Sequence, residues 1–324
     1  MTSRYQPLVS ITIPTYNRAD SYLRGAIESA LGQTYPHVEV LVADNASTDA
    51  TPEVVGAFDD SRLRYVRHEE NIGPFRNSQF CLDTARGEFI YMLHDDDLVD
   101  PDFLDTCVEA LAEDPDAGYV RTGLRTIDAD GAEVDAYPNR TAGLQHEAYV
   151  HAWLQRRAYW YFANTLIRTE ALRSLEGAFT RYRHTSDCAN FARLALKYRG
   201  VDVEVVKASC RLHDEKLTEV SAVSDWIDEY EMVRDDLVEL VRDDWKAQIR
   251  EGANDLFSEI CYRHAGRIPG RAQRYRTLAR IYRTFEGSRL PPSLTGGARR
   301  LLPRTVVEWI RRLRAPSVAS PKAS

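Results

Sequence analysis

The first hundred residues alternate short apolar runs, rich in β-branched residues, with segments whose apolar positions recur at helical spacing. Strands are predicted at residues 8–13, 38–43, 63–66 and 89–93. Helices are predicted from about residue 20, from about residue 51 and over 75–85. This alternation predicts parallel strands joined by right-handed crossovers, with helices on both faces of an α/β sheet.

The pattern changes twice further along the chain. Residues 118–127 and 163–167 read as strands, residues 128–131 as a tight turn, and a helix is predicted near Asp187. Beyond residue 224 only helical spacing remains. Trp226 opens a stripe of apolar positions at steps of three and four that predicts an amphipathic helix, with Ser224 as its N-cap. Further helices are predicted at 249–262 and 271–285.

These changes divide the chain into three parts. Residues 1–223 form the predicted α/β domain, with a regular half at about 1–117 and a mixed half at about 118–223. Residues 224–286 form an all-helical extension, and 287–324 form a basic tail with a short amphipathic helix and a disordered end.

Composition narrows the class of protein. The chain is 44% hydrophobic and 28% charged, and its five cysteines are too scattered for a disulfide framework or a CxxC zinc site. No run of 18 apolar residues and no apolar leader is present, which excludes a spanning helix and a signal peptide by pattern. We therefore expect a cytoplasmic protein.

The net charge of −7 conceals an uneven distribution. Residues 263–324 hold 15 basic and two acidic residues, so the rest of the chain carries about −20. Within 299–314, arginines alternate with apolar positions around Trp309, a pattern that predicts peripheral contact with an anionic membrane at the inner face of the plasma membrane. The alternative is packing on the acidic body or on a second subunit, which leaves a homo-oligomer open. The acidic body argues against nucleic acid.

Candidate chemistry gathers where the predicted strands end. The chain has no glycine-rich phosphate loop, so a divalent cation is the remaining way to hold a phosphate group. Asp95, Asp96 and Asp97 follow a buried strand and offer the oxygen ligands that Mg²⁺ or Mn²⁺ takes. The alternative is a solvated loop that leads into a helix at about Pro101.

Asp44 closes another buried strand and opens the polar loop 44–49. An acid at this point can hydrogen-bond a base or a ribose, as in doubly wound nucleotide sites. The alternative, a loop that caps the next helix, explains residues 48–51 better than it explains Asp44.

Several motifs together resemble the opening of family 2 glycosyltransferases. They are VSITIPTYNR at 9–18, ALGQTY at 30–35, EVLVADNASTD at 39–49, NIG at 71–73, RN at 76–77, ARGEFI at 85–90 and LHDDD at 93–97. The resemblance spans about residues 7–218. It implies that residues of about 1–117 form a nucleotide-sugar half of the domain and that residues of about 118–223 form an acceptor half. It implies a GT-A fold, meaning a Rossmann-like mixed sheet flanked by helices. It also implies a nucleotide-diphosphate-sugar donor, a divalent cation (Mn²⁺ or Mg²⁺), a glycan or glycolipid acceptor and inversion at the anomeric carbon.

The resemblance also assigns donor-side roles by position. Pro14, Tyr16 and Asp44 are implied to contact the nucleoside, and Arg76 to lie on the donor side. Asp95 and Asp96 fall in the segment that binds the donor diphosphate and metal.

For the metal, the resemblance implies Asp96 or Asp97 together with His213, in the segment CRLH at 210–213. His94 stands where the family has its first acid, so the choice of carboxylate stays open. Without the resemblance, His213 would be read as a surface or core histidine.

The resemblance places Asp187 at the position of the catalytic base, with Ser186 where the family often has glutamate. On sequence alone the favoured reading of Asp187 is a cap of the helix that follows. Residues 160–164 are assigned to the acceptor side, where three adjacent aromatic residues could stack on sugars or belong to the core.

The sequence therefore predicts an inverting hexosyltransferase that acts in cell-envelope or other polysaccharide or glycolipid synthesis by a metal-assisted single displacement. Two alternatives stay open. A sugar-1-phosphate nucleotidyltransferase should show a glycine-rich phosphate loop near residue 14, and a non-catalytic nucleotide-sugar-binding subunit would tolerate loss of Asp187.

Overall fold

A computed structural model describes residues 6–141, 143–213 and 223–286. The first half alternates strand and helix as expected. Its elements are β1 (Val9–Thr15), α1 (Leu23–Leu31), β2 (Val38–Asp44), α2 (Thr51–Gly56), β3 (Leu63–Arg67), α3 (Pro74–Thr84) and β4 (Phe89–Met92). Each predicted strand and helix of this half is confirmed to within a few residues.

The second half is less regular. Its elements are β5 (Leu98–Val99), α4 (Phe103–Glu113), β6 (Ala117–Ile127), β7 (Glu133–Tyr137), α5 (His146–Leu154), β8 (Thr165–Arg168), α6 (Thr169–Arg173), α7 (Ser186–Lys197) and β9 (Arg199–Arg211). The helices that follow are α8 (Val223–Leu240), α9 (Lys246–Ala265) and α10 (Arg271–Thr284).

All nine strands of the described chain join one mixed sheet. Its order is β3-β2-β1-β4-β8-β6-β9-β5, and β7 pairs with β6. Strands β1 to β4 run parallel, β8 is antiparallel to both of its neighbours, and β9 is parallel to β6. After β3 the chain returns to the other side of β1, so a topological switch point lies between β1 and β4. Ligands of open α/β sheets bind at such a point, beyond the carboxyl ends of the strands.

Two apolar cores cover the two faces of the sheet. One packs α1 and α4 against the parallel strands. The other packs α3, α5, α6 and α7 and continues without a break into α8, α9 and α10, where Trp226 and Phe257 are buried. The helical extension therefore shares its core with the acceptor half.

Some predictions differ from the structure. The described part of α8 begins at Val223, so Ser224 lies inside the helix and does not cap it in the predicted way. Strands β5, β7 and β9 were not predicted, because β5 is only two residues long, β7 is exposed throughout and β9 is half-exposed with an irregular register.

The basic segment 299–314 lies outside the described residues. No helix of the described residues is long and apolar enough to cross a membrane.

Gly200 and Gly56 offer a matched test of packing beside β6. A Cβ on the buried Gly200 would overlap the ring of Tyr119, whereas a Cβ on the exposed Gly56 meets no atom within 4 Å. We expect Gly200→Ala to lower the free energy of unfolding by about 1–3 kcal/mol through overpacking. Gly56→Ala should leave it unchanged or raise it by about 0.4–1 kcal/mol. Urea unfolding measures both, and equal effects would contradict the packing described here.

Candidate functional site

The loops that follow β1 and β2 are tied together by hydrogen bonds. The amide of Asn17 donates to Ser47 Oγ (2.9 Å), and the amide of Thr48 donates to Asn17 Oδ1 (2.8 Å). The amide of Ala19 donates to Asp49 Oδ2 (3.0 Å). The polar residues of the 44–49 loop thus hold the ends of β1 and β2 in one fixed arrangement, which is more than helix capping requires.

Asp44 is fully buried at the end of β2, and each of its oxygens has a partner. Oδ1 accepts the amide of Ser47 (2.8 Å), and Oδ2 accepts the hydroxyl of Tyr65 (2.5 Å). Arg67 Nε lies 3.6 Å from Oδ2. Burial and the neighbouring Asp44 raise the pKa of Tyr65, so its hydroxyl remains a donor. The carboxylate is therefore fixed in direction.

The residue after Asp44 joins a third loop to this edge of the sheet. Asn45 donates to Asn71 Oδ1 (2.9 Å) and accepts the amide of Ile72 (2.8 Å). Ala46 has a φ of 62°, a conformation that costs energy for a residue with a side chain. Such strain clusters at functional sites, where surrounding contacts hold it.

The other predicted donor-side residues surround this edge. Pro14 is half-buried and Tyr16 is exposed, both at the end of β1, whose Thr15 pairs with Asp44. Gly73 has a φ of 86° and precedes α3, which carries the exposed Arg76 in its first turn. The ring of Phe75 lies 6.2 Å from that of His184, so the start of α3 is beside the segment that leads to Asp187.

Residues 94–97 form a turn after β4, which we call the acid turn. Asp97 is buried, and its Oδ1 accepts the amide of Arg211 (2.9 Å). Asp96 Oδ2 lies 2.8 Å from His213 Nε2. Asp95 Oδ1 lies 3.8 Å from Arg18 Nε. The structure thus brings the three predicted acids together with His213.

The acid turn has the donor set of a cation site. One ligand atom from each of His94, Asp96 and Asp97 lies within 4.8 Å of the others. Carboxylate oxygens and an imidazole nitrogen suit Mn²⁺, and the carboxylates suit Mg²⁺. The residues present therefore fit a divalent cation.

Charge is concentrated on this turn. Burial, followed by the charge of Asp96, raises the pKa of Asp95 to about 6, against the opposing effects of Thr15 and Arg18. Burial lowers the pKa of His94, but its bond to Asp97 and the nearby carboxylates raise it more, to about 10. Both shifts have the sign expected of a site with excess negative charge.

Arg211 holds the acid turn from the end of β9, and its side chain is buried with backbone carbonyls as partners. Its Nε donates to the carbonyl of Asp96 (2.9 Å), and its Nη1 donates to the carbonyls of Asp128 (3.0 Å) and Ala129 (3.1 Å). Its guanidinium carbon lies 4.5 Å from the ring centroid of Tyr22. Arg211 therefore joins the acid turn, the 128–131 turn and the residue before α1.

Asp187 lies in the first turn of α7 and reaches solvent. Desolvation by the surrounding protein raises the pKa of its carboxyl, against the charge of His94 and a 3.4 Å contact with Ser186 Oγ. The negative charge of Asp187 raises the pKa of His94, and the positive charge of His94 lowers the pKa of Asp187. The predicted base is therefore close enough to the acid turn for the two charges to interact. It is not the capping side chain of α7, because the N-cap residue is Thr185 and no side-chain cap bond is formed.

Sequence reasoning missed three side chains that organise the site. Arg18 ends the first motif, Tyr22 precedes α1, and Arg211 lies within CRLH, two residues before His213. The two arginines lie inside motifs, which was the available signal, whereas Tyr22 lies in none of them. Of the three adjacent aromatic residues in 160–164, Trp160 and Phe162 belong to the core, and Tyr161 is exposed.

Residues 10–176 match the model of glycosyl transferase family 2. This match covers just over half of the 324 residues, and the chain belongs to that family. The mixed sheet flanked by helices is the GT-A fold that the resemblance implied.

The names of two similar proteins agree with this family. Over 164 residues the chain is 33% identical to the succinoglycan biosynthesis protein ExoO of Rhizobium meliloti (strain 1021). The aligned region is 51% of this chain and 44% of ExoO. Over 147 residues it is 30% identical to the teichuronic acid biosynthesis glycosyltransferase TuaG of Bacillus subtilis (strain 168), which is 45% of this chain and 58% of TuaG. The chain thus matches less than two thirds of the length of either relative.

Solved structures share the fold. The structure of S. aureus TarS residues 1–349 in complex with UDP-GlcNAc has a TM-score of 0.65 at 16% identity and covers 86% of this chain and 80% of TarS 1–349. The mannosyltransferase PcManGT from Pyrobaculum calidifontis, in complex with GDP-Man and Mn²⁺, has a TM-score of 0.58 at 19% identity and covers 96% of this chain and 85% of its own.

The buried contacts of Arg211 give a stability prediction. Arg211→Ala leaves three carbonyls without their donor, and we expect a loss of about 1–3 kcal/mol in the free energy of unfolding. Arg263→Ala removes an exposed ion pair with Glu259 and should cost about 0–1 kcal/mol. Urea unfolding of both variants is the measurement, and similar losses would show that Arg211 does not brace the site.

Proposed function

We propose that this family 2 glycosyltransferase transfers a hexosyl group from a nucleotide-diphosphate-sugar to a hydroxyl of a glycan or glycolipid acceptor, with inversion, in polysaccharide synthesis. The observation that carries the proposal is the acid turn at the switch point, with Asp187 close enough for the charge of His94 to affect its pKa and with Asp44 fixed at the neighbouring strand end. These are the separate groups that a single displacement needs.

The donor would lie along the carboxyl edge of β1, β2 and β4. Asp44, Pro14 and Tyr16 would contact the nucleoside, and Asp95, Asp96 and Arg76 would lie on the diphosphate side. The complexes of TarS with UDP-GlcNAc and of PcManGT with GDP-Man support a nucleotide-sugar donor for this fold.

Asp96, Asp97 and His213 would hold a divalent cation, with His213 oriented by its 2.8 Å contact with Asp96. His94 would be a further ligand after it gives up its proton, as metal binding requires. When bound, the cation supplies charge that stabilises the leaving nucleoside diphosphate. Arg211 would hold the carbonyl of Asp96, and its amide fixes Asp97, so the carboxylates stay in place as the charge on the diphosphate grows.

Asp187 would accept the proton of the acceptor hydroxyl as that oxygen attacks the anomeric carbon. A carboxyl with a raised pKa is a stronger base than an ordinary aspartate. Because the start of α3 packs beside residue 184, the donor-side Arg76 and the base lie on neighbouring elements. Positioning of donor and acceptor between them would supply much of the rate.

The alternatives make different products. A sugar-1-phosphate nucleotidyltransferase would release pyrophosphate, and a binding subunit would release nothing, whereas a glycosyltransferase releases a nucleoside diphosphate.

For the segment 299–314 the sequence alone supports peripheral contact with an anionic membrane.

The metal site is tested by nucleotide binding. A nucleoside diphosphate at about 100 times its Kd should stabilise the protein by about 2.7 kcal/mol, and this should require Mn²⁺ or Mg²⁺. We expect Asp96→Ala and Asp97→Asn to abolish the thermal shift given by UDP or GDP with Mn²⁺, because each removes a carboxylate ligand. The exposed Asp83→Asn is the control. A normal, metal-dependent shift in both site variants would refute the assignment.

The role of Asp187 is tested by turnover. We expect Asp187→Asn to lower nucleoside diphosphate release by about 10²–10⁴-fold with donor binding intact, as for loss of a general base. The wild-type rate should fall as the pH drops through the raised pKa of Asp187, because only the ionised carboxylate accepts a proton.

Asp225→Asn is the matched control, since Asp225 also lies in the first turn of a helix. If Asp187→Asn changes turnover no more than Asp225→Asn does, Asp187 serves the helix terminus and not the chemistry.

A further inference from the structure

Three exposed tyrosines converge on one cleft, which we call the tyrosine cleft. Tyr137 on β7 is 38% exposed, and Tyr159 and Tyr161, in the loop before β8, are 56% and 44% exposed. The rings of Tyr137 and Tyr159 lie 5.9 Å apart between centroids, at an angle of 37°. Large aromatic rings are usually buried, so several exposed rings at one place indicate an interaction site.

The cleft has a defined volume and a polar lining. It encloses about 140 Å³, several times the roughly 30 Å³ share of one water molecule. Besides the tyrosines, its walls include Asn139 and Arg157. It therefore offers aromatic faces together with hydrogen-bonding groups, the combination found in sites for small polar rings.

Buried hydrogen bonds fix the loop that carries two of the tyrosines. The side-chain Nδ2 of Asn164 donates to the carbonyl of Thr122 (2.5 Å), and its Oδ1 accepts the backbone amide of Tyr161 (3.3 Å). The buried Tyr149 donates its hydroxyl to the carbonyl of Tyr159 (3.0 Å). These bonds use backbone atoms of the tyrosines and leave their rings at the surface. The platform is therefore pre-organised for a ligand.

The tyrosine cleft lies at the same edge of the sheet as the acid turn. Strand β6 runs in the same direction as β4, since both are antiparallel to β8. Near its end, β6 pairs with Tyr137 of β7 through Leu124, and with Arg211 of β9 through Ile127. Tyr91 of β4 donates its hydroxyl to Ala163 in the tyrosine-bearing loop (2.6 Å). None of the cleft's lining residues belongs to the acid turn or is Asp187.

We propose that the tyrosine cleft binds a sugar ring of the acceptor other than the one that receives the transferred sugar, so that the acceptor is an oligosaccharide chain and not a monosaccharide. This inference rests on the proposed function. A pyranose presents an apolar C–H face that stacks on tyrosine rings, and its hydroxyls pair with the phenol, amide and guanidinium groups around the cleft. Because the cleft and the acid turn share an edge but no residue, one chain spans both.

Saccharide binding by the full-length protein, measured on immobilised bacterial and glycosaminoglycan saccharides of one to six sugar units, tests the proposal. We expect the wild type to retain chains of two or more units more strongly than their component monosaccharides. Tyr159→Ala should weaken this binding about tenfold, the loss of one aromatic stacking contact. Tyr159→Phe keeps the ring and should bind like the wild type. Leu240→Ala, which truncates an equally exposed side chain on α8, should have no effect.

The thermal shift with UDP or GDP and Mn²⁺ is recorded for every variant. If the wild type shows no thermal shift with UDP or GDP and Mn²⁺, the result counts against the proposed function itself. With the shift intact, three results would overturn the tyrosine cleft as an acceptor subsite. They are retention of no saccharide, equal retention of monosaccharides and chains, and unchanged retention by Tyr159→Ala.

Discussion

The concentration of carboxylates at the end of β4 is the constraint on which the site depends. Like charges at the end of a buried strand repel one another and lose hydration, and this raises the pKa of Asp95. Positively charged and N–H groups from distant parts of the chain offset this negative charge. Arg18 comes from the β1 loop, and Arg211 and His213 come from the end of β9. The two halves of the protein therefore meet at the acid turn, and neither half is a complete site without the other.

The donor edge is organised in a different way. Asp44, Asn45 and the loop residues after them are held by hydrogen bonds within the first half, and a strained backbone at Ala46 persists because those bonds over-determine it. The first half thus supplies the rigid edge at which we propose that the donor nucleotide binds. The second half, with β9 parallel to β6 and the helical extension packed behind α5 and α7, carries His213 and Asp187, the groups that we propose act on the metal and on the acceptor proton.

The nucleotide half was predictable because its information is local. Its strands β1, β2 and β4 are short apolar runs inside the sheet, and polar residues follow each of them at once, so these strands and the residues at their ends could be located from pattern alone. The acceptor half was not. Strand β9 is half-exposed and its residues Gly200 and Asp202 do not favour a strand, so it depends on pairing with its neighbours β6 and β5. The roles of Arg211 and Tyr22 depend on that long-range pairing, which no local pattern encodes. Asp187 needed the family resemblance, since an aspartate at a helix start reads as a cap.

The single side chain of Arg211 bonds to the acid turn and to the 128–131 turn of the β6–β7 hairpin, which also carries Tyr137. The two turns cannot move independently, since a shift of either one breaks hydrogen bonds to a buried guanidinium. Coupling of this kind is reciprocal: a ligand that repositions the acid turn changes the affinity of the hairpin for its own ligand, and the second ligand changes the first by the same factor. Through Arg211, the affinities of the two turns for their proposed ligands are therefore linked by the hydrogen bonds of one residue.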